Sequence, residues 1–151
     1  MELWELVARE CIRDLVARYN ANGDTGRFAE VLALFTPDAV MELHNGVLYE
    51  GIERIETIFT GTQKTVKGLD SSAGPIYMRH HTSTLQIDLV DNTHARGRCY
   101  YHVLMHHGLD HWGRYIDEYE MHDGRWRFSR RRVTLDGYVP GGMGEAGAAS
   151  R

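Results

Sequence analysis

The stretch RYNANGDTGRF, Arg18 to Phe28, puts an aspartate, Asp24, at a helix corner five residues after Tyr19. Such a residue has two uses. It can cap the helix that follows by accepting a hydrogen bond from one of its first N–H groups. It can also be half of a catalytic carboxylate–imidazole pair, in which the carboxylate sets the ring tautomer and stabilises the imidazolium, giving a base without a metal. The chain has nine histidines to choose from. His80 and His81, in RHHT, fall on opposite faces of a strand pattern. Taken alone, His80 reads as a hydrogen-bonded strand histidine. His102, His106, His107 and His111 lie close in sequence around one hairpin. Zinc needs three or four converging ligands with fixed supporting partners, and no HExxH or cysteine-rich spacing occurs here. The expectation is therefore no metal site. Arg125, Arg127 and Arg130 to Arg132 form a basic cluster, which reads as a solvated face or as cross-strand pairing with Asp117, Glu118 and Glu120.

These residues need a scaffold. A chain of 151 residues suggests one domain with a sizeable core. The net charge of −4 argues against a dedicated nucleic-acid binder. Cys11 and Cys99 form no disulfide framework, and both read as buried thiols. Nothing resembles a signal peptide and no apolar run approaches a membrane span. The expectation is a cytoplasmic protein without cofactor, nucleic-acid or membrane partners.

Leu3, Leu6, Val7, Ile12, Leu15, Val16 and Tyr19 recur at helical spacing. Phe28, Val31, Leu32 and Phe35 form a second, shorter helical stripe, stopped at TPDA because Pro37 biases Thr36 away from helix. VMEL reads as a strand and YEGIERIETIF as a third helix, followed by a loop from Gly61 to Pro75. Tyr77–Val90, Ala95–His106, Trp112–His122 and Arg125–Leu135 then suit strands, with turns at VDNT and HDGR. The Gly/Ala-rich residues 140–151 read as a flexible tail behind a domain spanning 1–139. Helices first and long antiparallel strands after imply α+β, a strongly bent sheet with helices across its mouth and a pocket inside.

Three segments resemble SnoaL-like proteins of the nuclear transport factor 2-like superfamily: IRDLVARYNANGDTGRFAEVLALFTPDAV, RHHTSTLQI and DEYEMHDGRWRFSRRRV. The resemblance covers most of residues 10–135 and is strongest to scytalone dehydratase, bile acid 7α-dehydratase and hexachlorocyclohexane dehydrochlorinase. It implies a cone-shaped α+β barrel. It also implies catalytic roles for Asp24, His80, Arg131 and Tyr19, and pocket-lining positions for Tyr101, Val103, Tyr115 and Val133. Two features depart from the family. Met41, Glu42 and Leu43 stand where the dehydratases carry a second pocket tyrosine, and the tail lacks the longer variants that fold over the pocket.

The function implied is a cofactor-independent lyase. His80 would take a proton from carbon, Asp24 would support it, and Arg131 or Tyr19 would stabilise the departing oxygen or halide. The substrate would be a hydrophobic cyclic small molecule. An isomerase or cyclase could use the same base, and a non-enzymatic binding or assembly module could use the same fold. The paired aspartates and arginine of limonene epoxide hydrolases are not found. The resemblance also implies a homo-oligomer, trimer ahead of dimer. One difficulty is parity. Strict alternation sets His80 with Thr82, Thr84 and Gln86, opposite Leu85, Ile87 and Leu89. A bulge near residues 81–84 would bring both sets to one concave face.

Overall fold

The computed structural model describes residues 1–72 and 74–149. Helix α1 (Leu3–Asp24) buries Ala8, Ile12, Leu15, Val16, Tyr19 and Asn20. Its first two turns stand off the core. Leu3, Leu6 and Val7, expected on the buried stripe, are 75, 54 and 54% exposed, and Cys11, expected buried, is exposed while Cys99 is buried. Helix α2 (Phe28–Leu32) is shorter than its stripe suggests. Phe35 already belongs to strand β1 (Phe35–Glu42), which contains Pro37. The proline is tolerated because the pairing of β1 slips there, from Phe35 opposite Phe128 to Val40 opposite Arg130, so no ladder donor is lost.

Strand β2 (Leu48–Glu50) leads into α3 (Ile52–Lys67). This helix runs well past Gly61, where a loop was expected. Four long strands follow: β3 (Arg79–Leu89), β4 (His94–Met105), β5 (Gly108–His122) and β6 (Arg125–Val133). The turn between β5 and β6 has Asp123 and Gly124 both at positive φ, 49° and 73°, as a two-residue type I′ hairpin requires. A short β7 (Gly137–Tyr138) and a helix α4 (Met143–Ala149) complete the chain. The tail read as flexible thus contains a helix, and residues 150–151 lie outside the described residues.

The sheet runs β2-β1-β6-β5-β4-β3, with β7 added alongside β5. Every neighbouring pair is antiparallel except β1 with β6. It curls strongly without closing. Each of the pairings β1–β6, β3–β4, β4–β5 and β5–β6 contains a register shift, and such bulges bend the bulged strand and raise its twist. The helices fill the concave side, where Ile12, Val31, Phe35, Ile55, Val103 and Phe128 are fully or almost fully buried.

The bulge in β3 resolves the parity problem. Pairing with β4 shifts between Ser83 and Gln86, and Thr84 takes a φ of 57°. His80 before the shift and Ile87 after it therefore both face inward. His81 points outward and stacks on His102, its cross-strand neighbour, with ring centroids 5.0 Å apart.

Candidate active site

Helix α1 ends with Asp24, and the chain then turns. Thr25 closes the helix, its hydroxyl donating to the Ala21 carbonyl at 2.8 Å, and Gly26 adopts a φ of 75°. The N-cap of α2 is Arg27, not Asp24. The Asp24 carboxylate instead reaches the start of β3. Its Oδ2 accepts the His80 backbone N–H at 2.8 Å, and its Oδ1 lies 2.6 Å from His80 Nδ1. With Nδ1 donating to the carboxylate, the neutral ring presents Nε2 as a lone-pair acceptor.

Both residues border a cavity of about 730 Å³ inside the curled sheet. Tyr19, Tyr101, Tyr115 and Val133 border it too. Tyr101 stacks on Tyr115 at 4.6 Å, and its hydroxyl donates to the Thr134 carbonyl at 2.6 Å. Tyr19 sits edge-on to Phe35, Phe59, Tyr115 and Phe128. Burial raises the Tyr19 phenol above its ordinary pKa, against the opposing pull of Arg131. It is therefore a neutral hydrogen-bond donor at physiological pH, not a base.

Two expected site residues stand behind the wall. Val103 is fully buried and is not part of the lining; it lies beneath it, as the cross-strand neighbour of His80. Arg131 has no exposed side-chain surface and does not border the cavity. Its Nε and Nη2 each donate to Asp117 at 2.8 Å, across the β5–β6 ladder. Its guanidinium carbon lies 4.0–4.2 Å from the ring centroids of Tyr19, Tyr115 and Phe128, a cation–π arrangement. Burial works against its charge, but Asp117 outweighs that and raises the Arg131 pKa. The rest of the basic cluster behaves as a surface, with Arg130 and Arg132 both meeting Glu42, at 2.6 and 3.6 Å.

The cavity also has members that sequence reasoning missed. Asn20 borders it from α1, its Oδ1 accepting from the Tyr115 hydroxyl at 3.3 Å while its Nδ2 has no partner among the described residues. His44 borders it with Nε2 2.9 Å from the Gly147 carbonyl. His111 borders it from β5, and Met143 and Gly144 from α4. The Asp110–His111 dipeptide was the available signal for His111, but its facing was not legible without the register of β5. Lys67 and Arg79 also contribute to the lining. Among the described residues, no group of three or more His, Cys, Asp or Glu is placed to hold a metal ion, and no helix is long and apolar enough to cross a membrane.

Solved structures resemble this chain at low sequence identity. A protein provisionally named scytalone dehydratase, from Novosphingobium aromaticivorans, superposes with a TM-score of 0.76 at 22% identity, covering 92% of this chain and 91% of that one. A hexachlorocyclohexane dehydrochlorinase from Novosphingobium barchaimii gives 0.76 at 19% identity, over 93% and 94%. A protein of unknown function with a cystatin-like fold, from Nostoc punctiforme, gives 0.74 at 21%, over 87% and 93%. At these identities the likeness establishes the fold. A search of the curated proteins finds no match. The model of the SnoaL-like domain matches residues 4–132, which span α1 through nearly all of β6 and carry both Asp24 and His80, so the chain belongs to the SnoaL-like domain family.

Proposed function

We propose that the protein is a cofactor-independent lyase that removes water or halide from a hydrophobic cyclic small molecule, with His80 as the base. The observation that carries this reading is the 2.6 Å contact between Asp24 and His80 Nδ1 at the wall of a cavity large enough for a ring-shaped ligand. The two residues come from segments 56 positions apart. In the reaction, His80 Nε2 takes the proton from carbon, and the C–H electron pair becomes the new C=C bond as the C–O or C–halogen bond breaks. Asp24 stabilises the imidazolium so formed. A halide leaves as such; a hydroxide leaves with the imidazolium proton as one water. Tyr19, a neutral donor, hydrogen-bonds to the departing atom.

Arg131 takes a different part from that of a ligand contact. Sealed behind Tyr19 and Tyr115, it acts as a positioning residue that holds both rings, its own charge balanced by Asp117.

The similar structures named for a dehydratase and a dehydrochlorinase support a lyase over a binding module. An isomerase that returns the proton to another carbon would use the same base. The deciding experiment incubates the protein with cyclic β-hydroxyketones, following the new conjugated alkene by absorbance, and with cyclic vicinal halides, following the halide released. Elimination that disappears in His80→Ala supports the lyase. Migration of a double bond without loss of a group supports the isomerase, and silence across both panels supports the binding module.

The same reading includes a homo-oligomer, with trimer ahead of dimer. The outer sheet face exposes Tyr100, Trp112 and Ile116 at 56, 37 and 38%, alternating with Arg98 and Arg114 across the β4–β5 ladder, and aromatic and arginine side chains are enriched at interfaces.

A further inference from the structure

The cavity wall holds a second carboxylate–imidazole pair, which the proposed elimination does not use. His111 Nδ1 lies 2.6 Å from Asp110 Oδ1. Asp110 has no exposed surface, and it also accepts the backbone N–H groups of Met143 and Gly144 at 3.0 and 2.9 Å, with His107 Nε2 at 2.8 Å. Burial alone would raise the Asp110 pKa, but the hydrogen bonds from His111, Gly144 and Met143 hold it below the ordinary value. It is an acceptor only. The proton of a neutral His111 must then sit on Nδ1, which leaves Nε2 as an unprotonated acceptor. Burial lowers the His111 pKa, and charge on His80 or His44 would lower it further, so the neutral form is the working one.

The sheet register aims this nitrogen. Val103 is the cross-strand partner of His80 on one side and of His111 on the other. Directly paired residues share a face, so both imidazoles rise from one row on the inner side of the sheet. They are two strand spacings apart, or roughly 10 Å between backbones. The ring of Tyr101 lies between them, with its centroid 6.2 Å from each. Among the described residues His111 Nε2 has no hydrogen-bond partner, and it is not among the sealed unpartnered atoms; His111 borders the cavity, so its open side is taken as the cavity.

The position is built and not incidental. Helix α4 packs so closely that a Cβ on Gly144 would lie 2.5 Å from the His111 Cβ, and one on Gly142 would lie 2.6 Å from Asp110 Oδ2. No larger residue fits at either glycine without moving the pair.

We propose that His111 is a substrate-binding residue: its Nε2 accepts a hydrogen bond from a hydroxyl of the ligand, so the pocket selects cyclic molecules with a free hydroxyl about one ring system from the carbon that His80 deprotonates. This rests on reading the cavity as the substrate site of the proposed lyase. Because Nε2 accepts and does not donate, the hydroxyl held by His111 is not the group expelled. It is a retained phenol or alcohol that fixes the ring's orientation. Tyr101 and Tyr115 supply the apolar walls between the two imidazoles.

The test measures binding, without turnover, of 2-naphthol and of 2-methoxynaphthalene, which keeps the ring and oxygen but has no hydroxyl hydrogen. One net hydrogen bond corresponds to about a five- to tenfold preference for 2-naphthol in the unaltered protein. The preference should fall to about one in His111→Leu and persist in His80→Leu. Equal affinities in the unaltered protein, no binding of either probe, or a preference lost in His80→Leu and kept in His111→Leu would overturn the proposal. Should His111→Leu fail to fold, the ring nitrogens of the unaltered protein decide. The His111 Nε2 resonance should move with 2-naphthol and not with its ether, and an unmoved resonance also overturns the proposal. Failure of the lyase reading appears elsewhere, as absent elimination or a full-rate His80→Ala, and leaves this binding ratio unchanged.

Discussion

Asp24 holds His80 twice. One carboxylate oxygen takes the backbone N–H at 2.8 Å and the other meets ring Nδ1 at 2.6 Å. The end of α1 thereby fixes both the start of β3 and the rotation of the imidazole. This doubles the consequence of changing the aspartate. An asparagine has one acceptor oxygen and must turn an NH2 group toward one of the two donors. Asp24→Asn should lower turnover by about 10²–10⁴, comparable to His80→Ala, and should also cost about 1–3 kcal/mol of stability from the lost buried acceptor. Had Asp24 been the cap of α2, asparagine would be nearly silent, since it caps as well as aspartate. Steady-state kinetics and urea unfolding of the single variant separate the two cases.

Arg131 and Asp117 form a fully buried ion pair, both ends without exposed surface. Removing one partner strands the other charge. Arg131→Met should cost about 3–5 kcal/mol, while Arg131→Met combined with Asp117→Leu should recover a good part of the loss. Chemical denaturation of the two variants tests this. A mild single substitution would mean that water reaches Asp117 freely.

Stability should fall on acidification, and His111 sets where the fall begins. Its folded pKa lies below the ordinary 6.5 because burial disfavours the charged ring. Below pH 6.5 the unfolded chain takes up a proton that the folded chain refuses, so stability declines as pH drops from there toward the folded pKa. Asp110, whose folded pKa is also lowered, adds a second loss nearer the carboxylate range, where the unfolded form is protonated first. Melting temperatures between pH 7.5 and 2.5 should show both. In His111→Gln the decline just below pH 6.5 should be weaker than in the parent; an unchanged slope would count against a neutral, buried His111.

Helix α4 depends on glycine at position 144, where an added Cβ would meet His111 and Tyr138 at 2.5 and 2.7 Å. Gly144→Val should lift the helix from Asp110 and expose the Met143 and 144 amides. Hydrogen exchange should accelerate at those amides while the core strands stay protected. Full protection at 143 and 144 would show that the contact can yield without undocking.

The outer sheet face offers the remaining check. If Tyr100, Trp112 and Ile116 lie in a subunit contact, light scattering at micromolar concentration should give a trimer, and Ile116→Arg should shift it toward monomer. A clean monomer from the parent protein rejects the assembly.

Local chemistry alone makes much of this molecule legible. The period of apolar residues marked α1 and α2, the β-branched and aromatic runs marked β3 to β6, and Asp-Gly at 123–124 marked a hairpin that no other dipeptide in the region would form as easily. The need for a bulge in β3 could be read from the clash between His80 and the Leu85–Ile87–Leu89 set, though its place, at Thr84, could not. Contacts between distant segments decided the rest. A charge cluster looks the same in sequence whether it faces water or the core, so the burial of Arg131 against Asp117 emerges only when β5 and β6 pair. A helical stripe does not say how far the core extends, so the exposure of Leu3, Leu6 and Val7 depends on where the sheet ends. Residues 140–151 look mobile by composition because glycine and alanine carry no large side chain to pack. The same smallness lets α4 approach Asp110 and His111 closely. His111 itself was one histidine among nine until the pairing of β3, β4 and β5 set it in one row with His80. Strand register is a tertiary property, and a shift of one residue would have turned that ring to the outside.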